Sequence, residues 1–128
     1  MMPRAVATQT GVALTLLDYL PLSGTATANA QGNAVLTFDA VEPGELWRVE
    51  AMSVRTAASP APPATVRAQV WAGPRLMDGS DRGSFDFSDR SAPILVNSGE
   101  QLSVQWSGVP AGTLCSFSGQ YQLYARGA

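Results

Sequence analysis

The chain has no histidine, no lysine, one cysteine and few charges: ten acidic residues and eight basic ones among 128, or 14% charged. Ordinary soluble domains carry about a quarter charged residues. Without histidine there is no Ser-His-Asp or Cys-His pair and no common zinc site. Without lysine there is no Schiff base, no Walker A lysine and no Ser-Lys dyad. All eight basic residues are arginine, scattered at positions 4, 48, 55, 67, 75, 82, 90 and 126, and the net charge is -2. An acidic balance with no basic cluster leaves nothing to capture phosphate backbones, so no nucleic-acid partner is expected. A lone Cys115 excludes an internal disulfide and reads as a small apolar core residue. No run approaches the roughly 18 apolar residues that span a bilayer, so no membrane partner is expected. Residues 1–20 lack an unbroken apolar stretch of signal-peptide type, because Thr8, Gln9 and Thr10 interrupt it.

Helix signals are also scarce. Twelve glycines and nine prolines cut the chain into short runs rich in Val, Thr, Phe, Trp and Tyr, the mark of an all-β chain. Strands are expected near 24–30, 33–39, 46–57, 64–72, 84–87, 93–96, 101–107 and 113–126, with a helix competing for 12–20. The alternation assigns faces. Ala34, Leu36 and Phe38 share one face, as do Leu102, Val104 and Trp106. In the last strand Cys115, Phe117, Gly119, Tyr121, Leu123 and Ala125 line one side. Between Trp47-Val49-Ala51 and Met52-Val54 the apolar phase slips by one. A period of two slips only with an extra residue, so a β-bulge is expected at Ala51-Met52.

About eight strands with one apolar face each require two sheets packed face to face. The expected fold is an all-β, two-sheet antiparallel β-sandwich, jelly-roll or Greek-key-like. Residues 24–128 would form the sandwich. Residues 1–23 would be an N-terminal arm or an edge strand, pairing in cis or with a neighbouring subunit's sheet edge. The proline-rich segment 57–64 reads as a stiff connector between sheets.

Candidate sites are few. Asp78, Asp81, Asp86 and Asp89 are weak candidates for holding a hard cation such as calcium, but their spacing is not that of an EF-hand and Arg82 and Arg90 sit among them. The expectation is therefore no metal and no cofactor, and a solvated loop at 78–90. No general base or nucleophile is marked by its surroundings, and no enzyme is expected. Trp71 and Tyr124 fall on strand faces that otherwise carry Arg67, Gln69, Gln122 and Arg126. With Val12, Leu14, Leu16, Tyr19 and Leu20 of the apolar N-terminal stretch, they are the expected interface positions. A chain so poor in charge would bury much of its surface in an assembly.

The Asp-rich segment 78–89 is followed by Pro93-Ile94-Leu95, Gly99-Glu100-Gln101-Leu102 and Val104-Gln105-Trp106-Ser107-Gly108. That succession resembles small β-rich virion proteins of tailed phages of actinobacteria. Pro43-Gly44-Glu45-Leu46-Trp47-Arg48-Val49 is similar to the matching element of the first half. The resemblance covers about half the chain and implies a non-enzymatic structural protein of the particle, in the capsid or the tail, with no catalytic residue carried over. The expected role is capsid decoration or minor capsid protein. It would be a homo-oligomer with a trimer favoured, bound to the major capsid protein or other virion proteins, and made in the host cytoplasm before joining the virion. The rival expectation is a tail or baseplate adhesion module that binds a host cell-surface glycan.

Overall fold

The structure, a computed structural model, describes residues 5–7, 13–56, 66–80, 85–86 and 93–126. They form strands β1 (Ala5–Ala7), β2 (Ala13–Thr27), β3 (Ala34–Thr37), β4 (Glu45–Thr56), β5 (Arg67–Ala72), β6 (Arg75–Ser80), β7 (Phe85–Asp86), β8 (Ile94–Val96), β9 (Leu102–Ser107) and β10 (Leu114–Arg126). One sheet runs β1-β2-β10-β4-β7, with β8 also on β4; the other runs β3-β9-β5-β6. Every pairing is antiparallel.

The pairings are nested. β2 pairs with β10, β3 with β9, β4 with β8 and β5 with β6. One long antiparallel ribbon, folded at the β5–β6 turn, is thus wrapped so that alternate rungs fall in opposite sheets. That is a jelly roll, and it agrees with the sandwich expected from the alternation.

The core lies where the two inner faces meet. Trp106, Phe117, Met52, Ile94 and Leu102 are its largest enclosed side chains, filled in by valines from β4, β5, β8 and β9. Phe38 reaches across to Phe117 with ring centres 5.5 Å apart, and Trp47 stacks on Tyr121 at 4.4 Å. Both Trp47 and Trp106 point inward, as the alternation predicts. Cys115 is enclosed too, and burial pushes its thiol up from its ordinary value.

The phase slip in β4 is a bulge at the expected place. Ser118 faces Ser53 and Gln120 faces Glu50, so Gly119 alone opposes both Ala51 and Met52. A Cβ at Gly119 would sit 3.0 Å from Met52 Cγ, which is why a residue without a side chain stands opposite the bulge. Two further bulges were not expected. Leu17 is extra on β2, between the Leu16–Tyr124 and Asp18–Leu123 pairs. Met77 is extra on β6, between Leu76–Trp71 and Asp78–Val70.

The choice between helix and strand over 12–20 falls to strand for residues 13–20: β2 runs unbroken from Ala13 to Thr27, and β1 turns back onto its first residues. Two expectations need correcting. The strand expected at 24–30 ends at Thr27, because Asn29 Oδ1 accepts from the amides of Gln31 and Asn33 and starts a turn. Finally, β6 occupies 75–80, where no strand was expected and where 78–80 were assigned to the solvated loop; the Met77 bulge hides its alternation. The connector expected at 57–64 lies outside the described residues.

The two Gly-Glu elements form matching turns. Glu45 N donates to Glu42 O at 3.0 Å and Glu100 N to Asn97 O at 2.9 Å. Gly44 and Gly99 each have φ +80°, the third-position geometry of a type II turn. The turns lie together: Ser98 Oγ donates to Glu45 O at 2.6 Å and Gly99 N to Val41 O at 2.8 Å.

Candidate functional site

In a sandwich whose inner faces are filled, function is left to outer faces and loops. On the six-stranded sheet, register places residues in rows across strands. Leu16, Tyr124 and Leu46 form one row; Tyr19, Gln122, Arg48 and Leu95 form the next; Pro21, Gln120 and Glu50 form a third. Directly opposed residues stand within side-chain contact distance, so the first two rows form one patch. Tyr19 is 46% exposed and Leu95 42%, and Leu16 is exposed as well. Leu46 is on the same outer face yet only 5% exposed, covered by its neighbours.

Hydrogen bonds fix the polar members of the patch. Arg48 Nη1 donates to Gln122 Oε1 at 3.1 Å, and Tyr124 Oη donates to the same oxygen at 2.8 Å. Tyr19 Oη donates to Glu50 Oε1 at 2.6 Å. Losing that proton would place two negative oxygens together, so the Tyr19 phenol is raised above its ordinary value, first by this hydrogen bond. These side chains stand on a sheet rather than on loops, and their positions are fixed without a partner. The surface is amphipathic: aliphatic and aromatic groups surround one arginine and one glutamate.

The expected interface positions are only partly assembled here. Leu14, Leu16, Tyr19 and Tyr124 share this face. Leu20 pairs with Tyr121 and belongs to the inner side of the sheet, half-buried. Trp71 stands on the other sheet, in a row with Thr37, Ser103 and Leu76. Its Nε1 is enclosed without an acceptor among the described residues, a loss of about 1–3 kcal/mol for a buried donor. Val12 lies outside the described residues. Leu46, Arg48, Leu95 and Gln122 were missed. Leu95 did leave a signal: three apolar residues in succession, Ile94-Leu95-Val96, mean that neither face of that strand meets only water.

Of the four aspartates, Asp78 Oδ1 accepts from Gly79 N at 2.8 Å and Asp86 lies in β7 opposite Ser53. Asp81 and Asp89 lie outside the described residues. Among the described residues, no three His, Cys, Asp or Glu side chains gather where a metal ion would sit.

A partly exposed polar contact also joins the sheets. Arg75 of β6 donates from Nη2 to Glu100 Oε1 at 2.6 Å and to Leu95 O at 2.8 Å, and from Nε to Glu100 Oε2 at 3.1 Å. Asn97 N donates to Glu100 Oε1 at 2.8 Å. The Arg75 guanidinium holds the Glu100 carboxyl below its usual range, helped by Asn97 and opposed by partial burial.

No protein-family model matches the chain, and no curated protein matches it.

Proposed function

We propose that this protein is a non-enzymatic structural component of a phage virion, a capsid decoration or minor capsid protein that binds the assembled shell and reinforces it. The observation that carries the reading is the amphipathic patch of Leu16, Tyr19, Leu95 and Tyr124, held out from the six-stranded sheet with its polar members tied in place. Aromatic and arginine side chains on a rigid platform lose little entropy when covered. The resemblance of residues 76–108 to virion proteins and the lack of histidine and lysine point the same way.

Magnitudes favour action in many copies. A stable one-to-one complex buries about 1,200–2,000 Å² in all, and a patch of a few side chains supplies only part of that. In a homo-oligomer, a trimer by preference, each further contact forms at high effective concentration and avidity grows without new contacts. Repeated capsomers supply such an array. The working step is mechanical: apolar surface is withdrawn from water on both partners, and the shell resists disruption by the free energy released.

The test is co-sedimentation of the purified chain with phage heads, with tails and with empty capsids. Binding to heads and capsids, lost when Leu95 and Tyr19 are replaced, supports the reading. Binding to tails alone, or to neither, overturns it.

A further inference from the structure

The outer face of the four-stranded sheet has a different chemistry from the patch above. Register places Val35, Gln105, Gln69 and Gly79 in one row across all four strands. Two concavities flank Gln69. One, of about 350 Å³, is lined by Asn33, Val35, Gln69, Gln105, Trp106 and Ser107. The other, of about 190 Å³, is lined by Arg67, Gln69, Gly79 and Ser80. The second exists because position 79 has no side chain: a Cβ there would stand 3.6 Å from Gln69 Cγ and 3.2 Å from Ala68 O. We propose that this face is a binding site for a neutral saccharide, held by the Gln69 and Gln105 amides and seated on Val35.

Three observations select that ligand class. First, the lining is rich in primary amides and hydroxyls, and among the described residues no carboxylate belongs to it. A primary amide offers both donors and an acceptor, which is what a sugar hydroxyl, itself donor and acceptor, requires. Second, the Gln69 and Gln105 side chains make no hydrogen bond to any protein group among the described residues. Their bonding capacity is turned outward on rigid strands. Third, Val35 is 57% exposed beside them, an apolar surface for the C–H face of a pyranose. The one arginine among the described lining residues is too little charge to hold a phosphate chain or a nucleic acid. The row from Gln105 to Gly79 spans two strand spacings, about 10 Å, the length of a disaccharide. Trp71 and Leu76 continue the face on the next row.

This site does not rest on the virion role, and each can fail without the other. The test is a ¹H–¹⁵N titration of the full chain with maltotriose, mannotriose and galactotriose, each to about 20 mM, the range for affinities near millimolar. The side-chain amide signals of Asn33, Gln69 and Gln105 are expected to move with saturation for at least one of the three, while Gln122 stays still. Gln69→Ala and Gln105→Ala are each expected to weaken that binding about tenfold, the loss of one or two hydrogen bonds. Both positions face solvent on an intact sheet. Gly79→Ala, which narrows the second concavity, should weaken it too. No saturable movement with any of the three overturns the proposal. So does movement confined to the Leu16–Tyr19 face, affinity unchanged in both glutamine variants, or a larger response to inorganic phosphate at the same concentration.

Discussion

The two outer faces are built on the same ribbon and differ in what their rows carry. On the six-stranded sheet, aromatic and aliphatic side chains stand beside Arg48 and Glu50, and the polar groups are bonded to one another. On the four-stranded sheet, Gln69 and Gln105 face outward with no partner among the described residues, next to Val35. A polar group already bonded within the protein adds little to a new complex, and contact there is driven by apolar burial. A polar group awaiting a partner adds specificity for a hydrogen-bonding ligand. The first face therefore suits a protein surface and the second a small polyhydroxylated molecule. The fold fixes neither chemistry.

The largest expected effect abolishes the comparison by removing the core beneath both faces. Phe117 links the sheets through Phe38, and Phe117→Ala should cost about 3–5 kcal/mol of unfolding free energy, read by urea denaturation. A loss below about 1 kcal/mol would mean that the sheets are held together elsewhere. Next in size, Leu95→Asp puts a charge in the centre of the amphipathic patch. Head binding should fall at least about tenfold while stability changes by no more than about 0.5 kcal/mol, as at ordinary surface positions. Gln105→Ala should leave head binding untouched. Equal losses from both variants would show that the faces are not separate sites.

Much of this arrangement was legible in the sequence, and where it was not, the reasons are local. The inner faces of β3, β9 and β10 follow strict alternation, so Leu102-Val104-Trp106 and Cys115-Phe117 could be placed without a structure. The β4 bulge was legible because a slip in apolar phase has one cheap explanation. The bulges at Leu17 and Met77 left no such mark, since apolar residues surround the first and a turn-forming Asp-Gly-Ser follows the second. Leu20 was misplaced for that reason: the extra Leu17 restores an inward phase that the apolar run 12–22 conceals. Which outer residues meet is a matter of sheet order. Tyr19 and Leu95 are brought into one row by β10 and β4, and no local pattern announces it.

Smaller effects probe how the faces are coupled. Arg75 of β6 pairs with Glu100 in the turn before β9 and donates to Leu95 O of β8 in the other sheet. Because the folded Glu100 carboxyl lies below its usual value, its stabilisation is complete above the unfolded value and is lost as pH falls through the lower folded one. The window therefore lies below about pH 4.3, the ordinary glutamate value. Arg75 is partly exposed, with 41% of its side chain accessible, so the contribution is about 1 kcal/mol at most. Glu100→Gln should flatten that part of the stability profile, as measured by denaturation at pH 3 to 6, and an unchanged slope would sink the assignment.

The smallest effect expected is on an ionisation alone. Tyr19 is exposed to solvent, yet its hydroxyl donates to Glu50 at 2.6 Å. The raised phenol should return toward its ordinary value in Glu50→Gln, because the amide no longer opposes the phenolate with a negative charge. Ultraviolet titration of the variant against the parent reads this directly, with Tyr19→Phe identifying which of the three tyrosines is responsible. No stability change should accompany it. If Glu50→Gln leaves the titration as it was, the bond does not persist in solution, and the patch presents a loose phenol instead of an anchored one. Its fitness as a preorganised protein contact would fall accordingly, while the glutamine row on the opposite face would keep its chemistry.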